Sequence, residues 1–137
     1  DVIYGLVNSG RDIALDGVTE IIGPCIAVVP TRMKIDRSRK ILDVLRDVQD
    51  TSLRQSEHVY LGLREIRKVA PDAFRHQPLF RTLVNVVNER QALETNDLPF
   101  HLEPREGRME LEYPLCVDFQ ISVKEIRISI DFVSTLG

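Results

Sequence analysis

Three histidines, two cysteines and two glycine-bearing turns are the places where this chain could carry chemistry. His58 lies in Ser56-Glu57-His58-Val59-Tyr60, near the start of an amphipathic stretch; His76 lies in a loop before Pro78; His101 sits in an irregular polar segment. A lone imidazole has the right pKa for acid–base work. None of the three belongs to an HxxxH, an HExxH or a His/Cys cluster with metal-ligand spacing. Without a partner motif each reads as a surface or packing residue. The sequence thus offers no catalytic residue and no metal site. Ser9-Gly10-Arg11 has two readings. It binds an anion through backbone N–H groups and Arg11, or it is a turn whose Gly10 takes positive φ and whose Arg11 pins the loop. No P-loop, GxGxxG or GxSxG accompanies it, which favours the turn. Gly23-Pro24 divides in the same way. It is a turn entering a strand, or a small-residue step that leaves room for a ligand channel; the turn is favoured.

The elements that must position these residues follow from periodicity. Val2–Val7 is apolar with Gly5 inside it and reads as a central strand buried on both faces. Cys25–Val29 is an unbroken apolar run, a second central strand ended near Pro30. Asp36 or Ser38 can cap the next helix, whose Ile41, Val44, Leu45 and Val48 follow helical spacing. A second helix turns Leu63, Ile66 and Val69 inward and stops at Ala70, because Pro71 disfavours helix in the residue before it. Leu79–Val87 resembles another strand. From Asn88 to Pro114 the chain is polar and irregular, with a turn at Pro104-Arg105-Glu106-Gly107. Leu115, Val117, Phe119, Ile121 and Val123 then alternate with polar residues, as do Ile126, Ile128, Ile130 and Phe132. The two runs, joined at Lys124-Glu125, read as a hairpin with one solvated face.

Composition bounds the class. The 137 residues suit one compact unit. Apolar residues make up 43% and charged residues 28%, as in a globular protein. A net charge of −3, with basic residues scattered among acids, argues against a nucleic-acid surface. There is no apolar run near 18 residues, so no membrane span is expected, and no leader pattern is visible. Cys25 and Cys116 lie in apolar runs rather than a CxxC, and read as buried free thiols of a reducing compartment; a disulfide between them is the alternative. The sequence starts at Asp1 with no initiator Met, and a strand follows at once, so a piece of a larger protein is expected.

Four segments in order resemble the condensation domains of nonribosomal peptide synthetases. The first comprises Tyr4-Gly5, Ser9-Gly10-Arg11, Ile22-Gly23-Pro24-Cys25-Ile26 and Pro30-Thr31-Arg32. Its Gly-Pro-Cys form is similar to the fungal type. The second is Glu57-His58-Val59-Tyr60-Leu61 with Leu63-Arg64-Glu65-Ile66, a relaxed match to the family's next helical motif. The third is Pro78-Leu79-Phe80-Arg81-Thr82-Leu83-Val84-Asn85, and the fourth is Tyr113-Pro114-Leu115 with the final hairpin. Together they span essentially the whole chain.

The resemblance implies an α/β fold, a mixed sheet with helices packed on it, as one lobe of the chloramphenicol acetyltransferase-like pair that forms such a domain. It implies amide bond formation: the amine of an acceptor aminoacyl thioester attacks a donor acyl or peptidyl thioester. Both are carried on phosphopantetheine arms of carrier domains, so no cofactor is expected to bind this chain directly. The family's HHxxxDG belongs to the N-terminal lobe and is not in this sequence. Residues 1–137 are therefore expected to be the C-terminal lobe alone, without its final helical stretch. Implied partners are the N-terminal lobe, the carrier domains and a neighbouring adenylation domain, in a cytoplasmic synthetase of secondary metabolism. Thioester aminolysis needs reactants held in attack geometry and a group that orients or deprotonates the amine. By resemblance this lobe supplies a tunnel wall, with Ser9, Gly10, Arg11, Gly23, Pro24 and Ala27 in the floor loop and residues 88–114 as a crossover latching onto the N-terminal lobe. Ala27 and Arg81 stand where the family often has Asn. Two alternatives are an epimerisation or terminal cyclisation domain of the same superfamily, and a non-catalytic scaffold or interaction module. The isolated lobe is also expected to self-associate through an open sheet edge.

Overall fold

A computed structural model describes residues 1–70, 77–88 and 112–133. Five strands form one mixed sheet: β1 (Val2–Asn8), β2 (Ala27–Met33), β3 (Thr82–Asn88), β4 (Leu115–Ile121) and β5 (Ile126–Phe132), in spatial order β2-β1-β3-β4-β5. β1, β3 and β4 run parallel; β2 and β5 are antiparallel edge strands. Two helices, α1 (Ile41–Ser56) and α2 (Leu63–Val69), lie between β2 and β3 in the chain. The α/β reading with a mixed sheet holds.

The second strand departs from its expectation. It begins at Ala27, runs through Pro30 and sits at the sheet edge rather than its centre. Proline is tolerated there because an edge strand has a side that needs no ladder donor. Gln55 of α1 covers that edge: its Nε2 donates to the Pro30 carbonyl at 3.1 Å, while the Thr31 hydroxyl donates to Gln55 Oε1 at 3.2 Å.

Side chains alternate across the sheet. The register puts Tyr4, Leu6, Val29, Thr31, Val84, Val117 and Ile130 on one face, and Gly5, Leu83, Cys116, Asn85 and Asp118 on the other. The first face meets α1 only at its β1–β2 end, through Val44, Val48 and Thr51. Ile41 and Leu45, expected inward, are exposed. β5 is likewise exposed on both faces rather than one, with Ile128 and Ile130 each more than half accessible. Among the described residues the enclosed side chains are few: Val18, Val29, Val59, Phe80 and the polar Thr31.

Helix ends are set locally. α1 starts at Ile41, later than a cap at Asp36 or Ser38 would place it, and Lys40 makes no side-chain cap bond. Asp36 instead closes a turn, accepting from the Ser38 amide (2.9 Å) and hydroxyl (2.6 Å). α2 stops where Pro71 requires: Ala70 is extended, φ −68° and ψ 149°. Val69, expected inward, is 85% exposed. His58 lies in the turn between the helices and is exposed. His76, His101 and the turn at Pro104–Gly107 lie outside the described residues, as do residues 89–111 of the crossover. The hairpin link is tied by Ser122, whose Oγ accepts from the amides of Lys124 (3.3 Å) and Glu125 (3.1 Å).

Candidate functional site

The loop from Ser9 to Ile26 carries most of the residues singled out in the sequence, and Arg11 organises it. Its guanidinium donates to the Val18 carbonyl at 2.8 Å and to the Gly23 carbonyl at 3.0 Å, tying two distant points of the loop together. Ser9 Oγ accepts from the Arg11 amide (3.2 Å) and donates to Asp12 Oδ2 (3.1 Å), closing the turn that aims the guanidinium. Of the two readings of Ser9-Gly10-Arg11, the pinned turn is the one realised: Arg11 spends its fork on carbonyl oxygens. Gly10 has φ +67°, and a Cβ there would overlap the Cys25 carbonyl oxygen, so the loop closes on itself only because the side chain is missing. Val18, in a 3-10 turn of Val18–Glu20, is the loop's buried anchor. Ile21 and Ile22 are exposed, at 45% and 102%, and Ile26, at 68%, reaches the cleft described next.

Behind this loop lies a cleft of about 550 Å³ whose walls include Gly10, Pro24, Ala27, Tyr60, Leu63 and Tyr113. Three of the six expected loop residues, Gly10, Pro24 and Ala27, therefore share one wall. Arg11 and Gly23 meet behind it through their hydrogen bond, and Ser9 lines a separate groove. Tyr60 and Tyr113 entered the sequence reading only as members of the segments that carry the family resemblance, with no role of their own, because isolated aromatics next to turns have no spacing signature. Tyr113 stacks on Phe80 with ring centroids 5.1 Å apart and planes at 20°. Burial, with Glu112 and Cys116 adding to it, pushes the Tyr113 phenol above its usual range. It is thus a neutral hydrogen-bonding group at neutral pH. Cys116 is likewise pushed up, by burial and then by Asp118 and Asp131, so its thiol stays protonated at neutral pH. Cys25 and Cys116 are both free. Among the described residues no group of three His, Cys, Asp or Glu could hold a metal, and no helix is long and apolar enough to cross a membrane. Arg81 is exposed beside Arg67 and Glu112 in an adjoining cleft.

The Arg11 clamp makes a prediction. Arg11→Met removes two charge-assisted bonds to carbonyls, and half-exposure reduces their worth to about 1 kcal/mol. The expected result is fast amide exchange confined to residues 9–26 with little change elsewhere. Uniform loosening of the whole sheet would contradict it.

Comparison with known proteins places this geometry. The model of the family described as Condensation domain matches residues 1–136. The chain belongs to the condensation-domain family. Bacitracin synthase 3 of Bacillus licheniformis is 30% identical to this condensation-domain chain over 116 residues, 82% of the chain but 2% of that protein. Nonribosomal peptide synthetase TES of Alternaria alternata is 29% identical over 137 residues, 99% of the chain and 3% of that protein. Nonribosomal peptide synthetase fmqA of Aspergillus fumigatus is 41% identical over 73 residues, 53% of the chain and 2% of that protein. The starter condensation domain of the rhizomide synthetase RzmA shares the fold at TM-score 0.63 and 16% identity, across 96% of this chain and 30% of that one. The epimerization domain from the third module of tyrocidine synthetase B does so at TM-score 0.62 and 17% identity, across 94% and 30%. The condensation-domain chain thus spans under a third of the solved chains whose fold it shares, and a few hundredths of its curated relatives.

Proposed function

We propose that residues 1–137 form the C-terminal lobe of a condensation domain and line the tunnel in which two carrier-bound thioesters meet. In the reaction proposed, the acceptor amine attacks the donor thioester carbonyl. A C–N bond forms, the C–S bond breaks, and the amine proton leaves as the donor arm departs as a thiol. The chain's part is positional. The observation that carries this reading is the Arg11 clamp, which braces the loop that brings Gly10, Pro24, Ile26 and Ala27 to a cleft while Ile21 and Ile22 of the same loop are exposed. A braced loop with exposed apolar side chains suits the floor of a channel between two bodies. Ser9, Gly10, Arg11, Gly23, Pro24 and Ala27 are assigned to that floor. No described residue is assigned the role of amine base; His58 is exposed in the turn between the helices. The proposed partners are the N-terminal lobe, carrier domains presenting phosphopantetheine arms, and a neighbouring adenylation domain, in the cytoplasm.

The test is a titration of the chain with a phosphopantetheinylated, aminoacylated carrier domain, followed by backbone amide shifts. Shifts in residues 9–27 are expected, together with no amide product from the chain alone. An unperturbed spectrum, or turnover by the chain alone, would overturn the reading. With the full domain, product analysis separates condensation from the epimerisation chemistry that the tyrocidine neighbour's name describes. A lengthened acceptor chain marks the first, an inverted aminoacyl centre the second.

The apolar row Ile126, Ile128, Ile130 and Phe132 on edge strand β5 is between 56% and 64% exposed. Self-association of the isolated chain through that edge is proposed with it. Light scattering at high concentration is expected to give a mass above the monomer, and a strict monomer would refute it.

A further inference from the structure

Helix α1 does not close fully onto the sheet. Between its Val44 and Val48, both half-buried, and the β1–β2 face lies a cavity of about 200 Å³. Tyr4, Thr31 and Met33 form its sheet wall, and the loop that joins β2 to α1 forms its rim. Local bonds hold that loop. Asp36 closes a turn on Ser38, and Arg39 reaches along α1, with Nη1 donating to Asp47 Oδ2 at 2.6 Å and Nη2 to the Asp43 carbonyl at 3.4 Å. The cavity shares no lining residue with the cleft beside the floor loop. Tyr4 and Thr31 also stand on the opposite face of the sheet from Gly5, against which Phe80 lies.

The charges around this cavity are unevenly matched. Arg32 turns to Asp1, which accepts from its Nε and Nη2. Arg39 matches Asp47, the carboxylate among the lining residues. The Lys34 ammonium at the rim has no ion pair or hydrogen bond among the described residues, and neither has the hydroxyl of half-buried Tyr4. A half-buried donor without an acceptor is uncommon and costs stability. What is left over is one cation and one O–H donor beside apolar walls.

We infer that this cavity binds a small organic acid, its carboxylate accepting from the Lys34 ammonium and the Tyr4 hydroxyl and its apolar body lying against Val44 and Val48. One negative charge answers the one cation left over. A cavity of about 150 Å³ takes benzene, so the body is a single ring or a short alkyl chain. An acyl group held as a thioester has lost this carboxylate. The ligand is therefore a free acid rather than a carrier-borne substrate, and the site stands independently of the tunnel assignment. Because the acid touches both sheet and helix, it fastens α1, whose Ile41 and Leu45 are exposed.

The 137-residue chain is titrated with phenylpropionate, with hexanoate and with the neutral phenylpropanol, following backbone amide resonances. Saturable shifts at Met33, Lys34, Val44 and Val48 are expected with an acid, and the two acids distinguish an aryl from an alkyl body. The alcohol is expected to bind about fivefold more weakly than its acid, the worth of one exposed charge contact. Lys34→Met should weaken the acid by about the same factor, and Lys34→Arg should restore it. Lys34 is exposed, so neither variant disturbs the fold. Amide exchange in α1 is expected to slow at saturation. Silence with both acids, shifts confined to residues outside the cavity, equal affinity for acid and alcohol, or unchanged affinity in Lys34→Met would overturn the inference. Unchanged exchange in α1 at saturation would overturn the placement between helix and sheet. Shifts in residues 9–27 with a loaded carrier bear on the tunnel assignment alone, so the two readings fail separately.

Discussion

Gly10→Ala is expected to cost the chain about 2–5 kcal/mol, the sum of left-handed backbone strain and overpacking. That corresponds to a fall in melting temperature on the order of 10 °C for a domain of this size. Two causes add at this position. Its φ of +67° is one that a residue with a Cβ adopts only under strain, and the new methyl would overlap the Cys25 carbonyl oxygen, which is backbone and cannot swing away. Two other glycines grade the effect. Gly17 has φ +74° but open space around it, so alanine there meets strain alone, about 1–2 kcal/mol. Gly62 has φ −67° and open space, so alanine there gives up only the N-cap preference for glycine, under about 1 kcal/mol. The order Gly10, Gly17, Gly62 in thermal unfolding is the signature. Three equal shifts would show that the approach of Gly10 to Cys25 does not hold the loop.

Phe80→Ala is the second large effect, about 3–5 kcal/mol for a buried aromatic. Phe80 is 6% exposed, one of few enclosed side chains among the described residues, and it stacks on Tyr113. The ring lies across Gly5, where a Cβ would overlap its Cε2 and Cζ. Gly5→Ala alone should therefore cost about 1–3 kcal/mol, by pushing the ring off its stack. In the Phe80→Ala background the same methyl meets space, and the cost should fall to near zero. The coupling is read from urea unfolding of the four members of the cycle. Additive costs would mean that Gly5 and Phe80 do not share that volume. The pair also bears on the cleft, because Tyr113 loses its support when the ring goes.

Strand and helix identities were legible where one neighbour decides the outcome. Pro71 ends α2 through a clash with the residue before it, a strictly local effect. The alternation from Leu115 to Phe132 reports a pleated hairpin whatever lies beside it. The turn at Ser9-Gly10-Arg11 was legible as well, since its hydrogen bonds close within a few residues at one end. Asp36 misled for a related reason. Its short side chain satisfies local amides equally well in a turn or at a cap, and here it does the former.

What faces what was not local. Ile41, Leu45 and Val69 obey helical spacing, yet they are exposed, because α1 reaches only the β1–β2 end of the sheet. Pro30 reads as a strand terminator until β2 is known to be an edge, with Gln55 covering its carbonyl. Family membership, the mixed sheet and the pinned loop were thus determined by the sequence itself, because motif order and short-range sterics carry them. The cleft that gathers Gly10, Pro24 and Ala27 with Tyr60 and Tyr113 was decided only by tertiary structure. It depends on which strands become neighbours and how the loops between them are brought together. That is a property of long-range pairing, and no window of the sequence contains it.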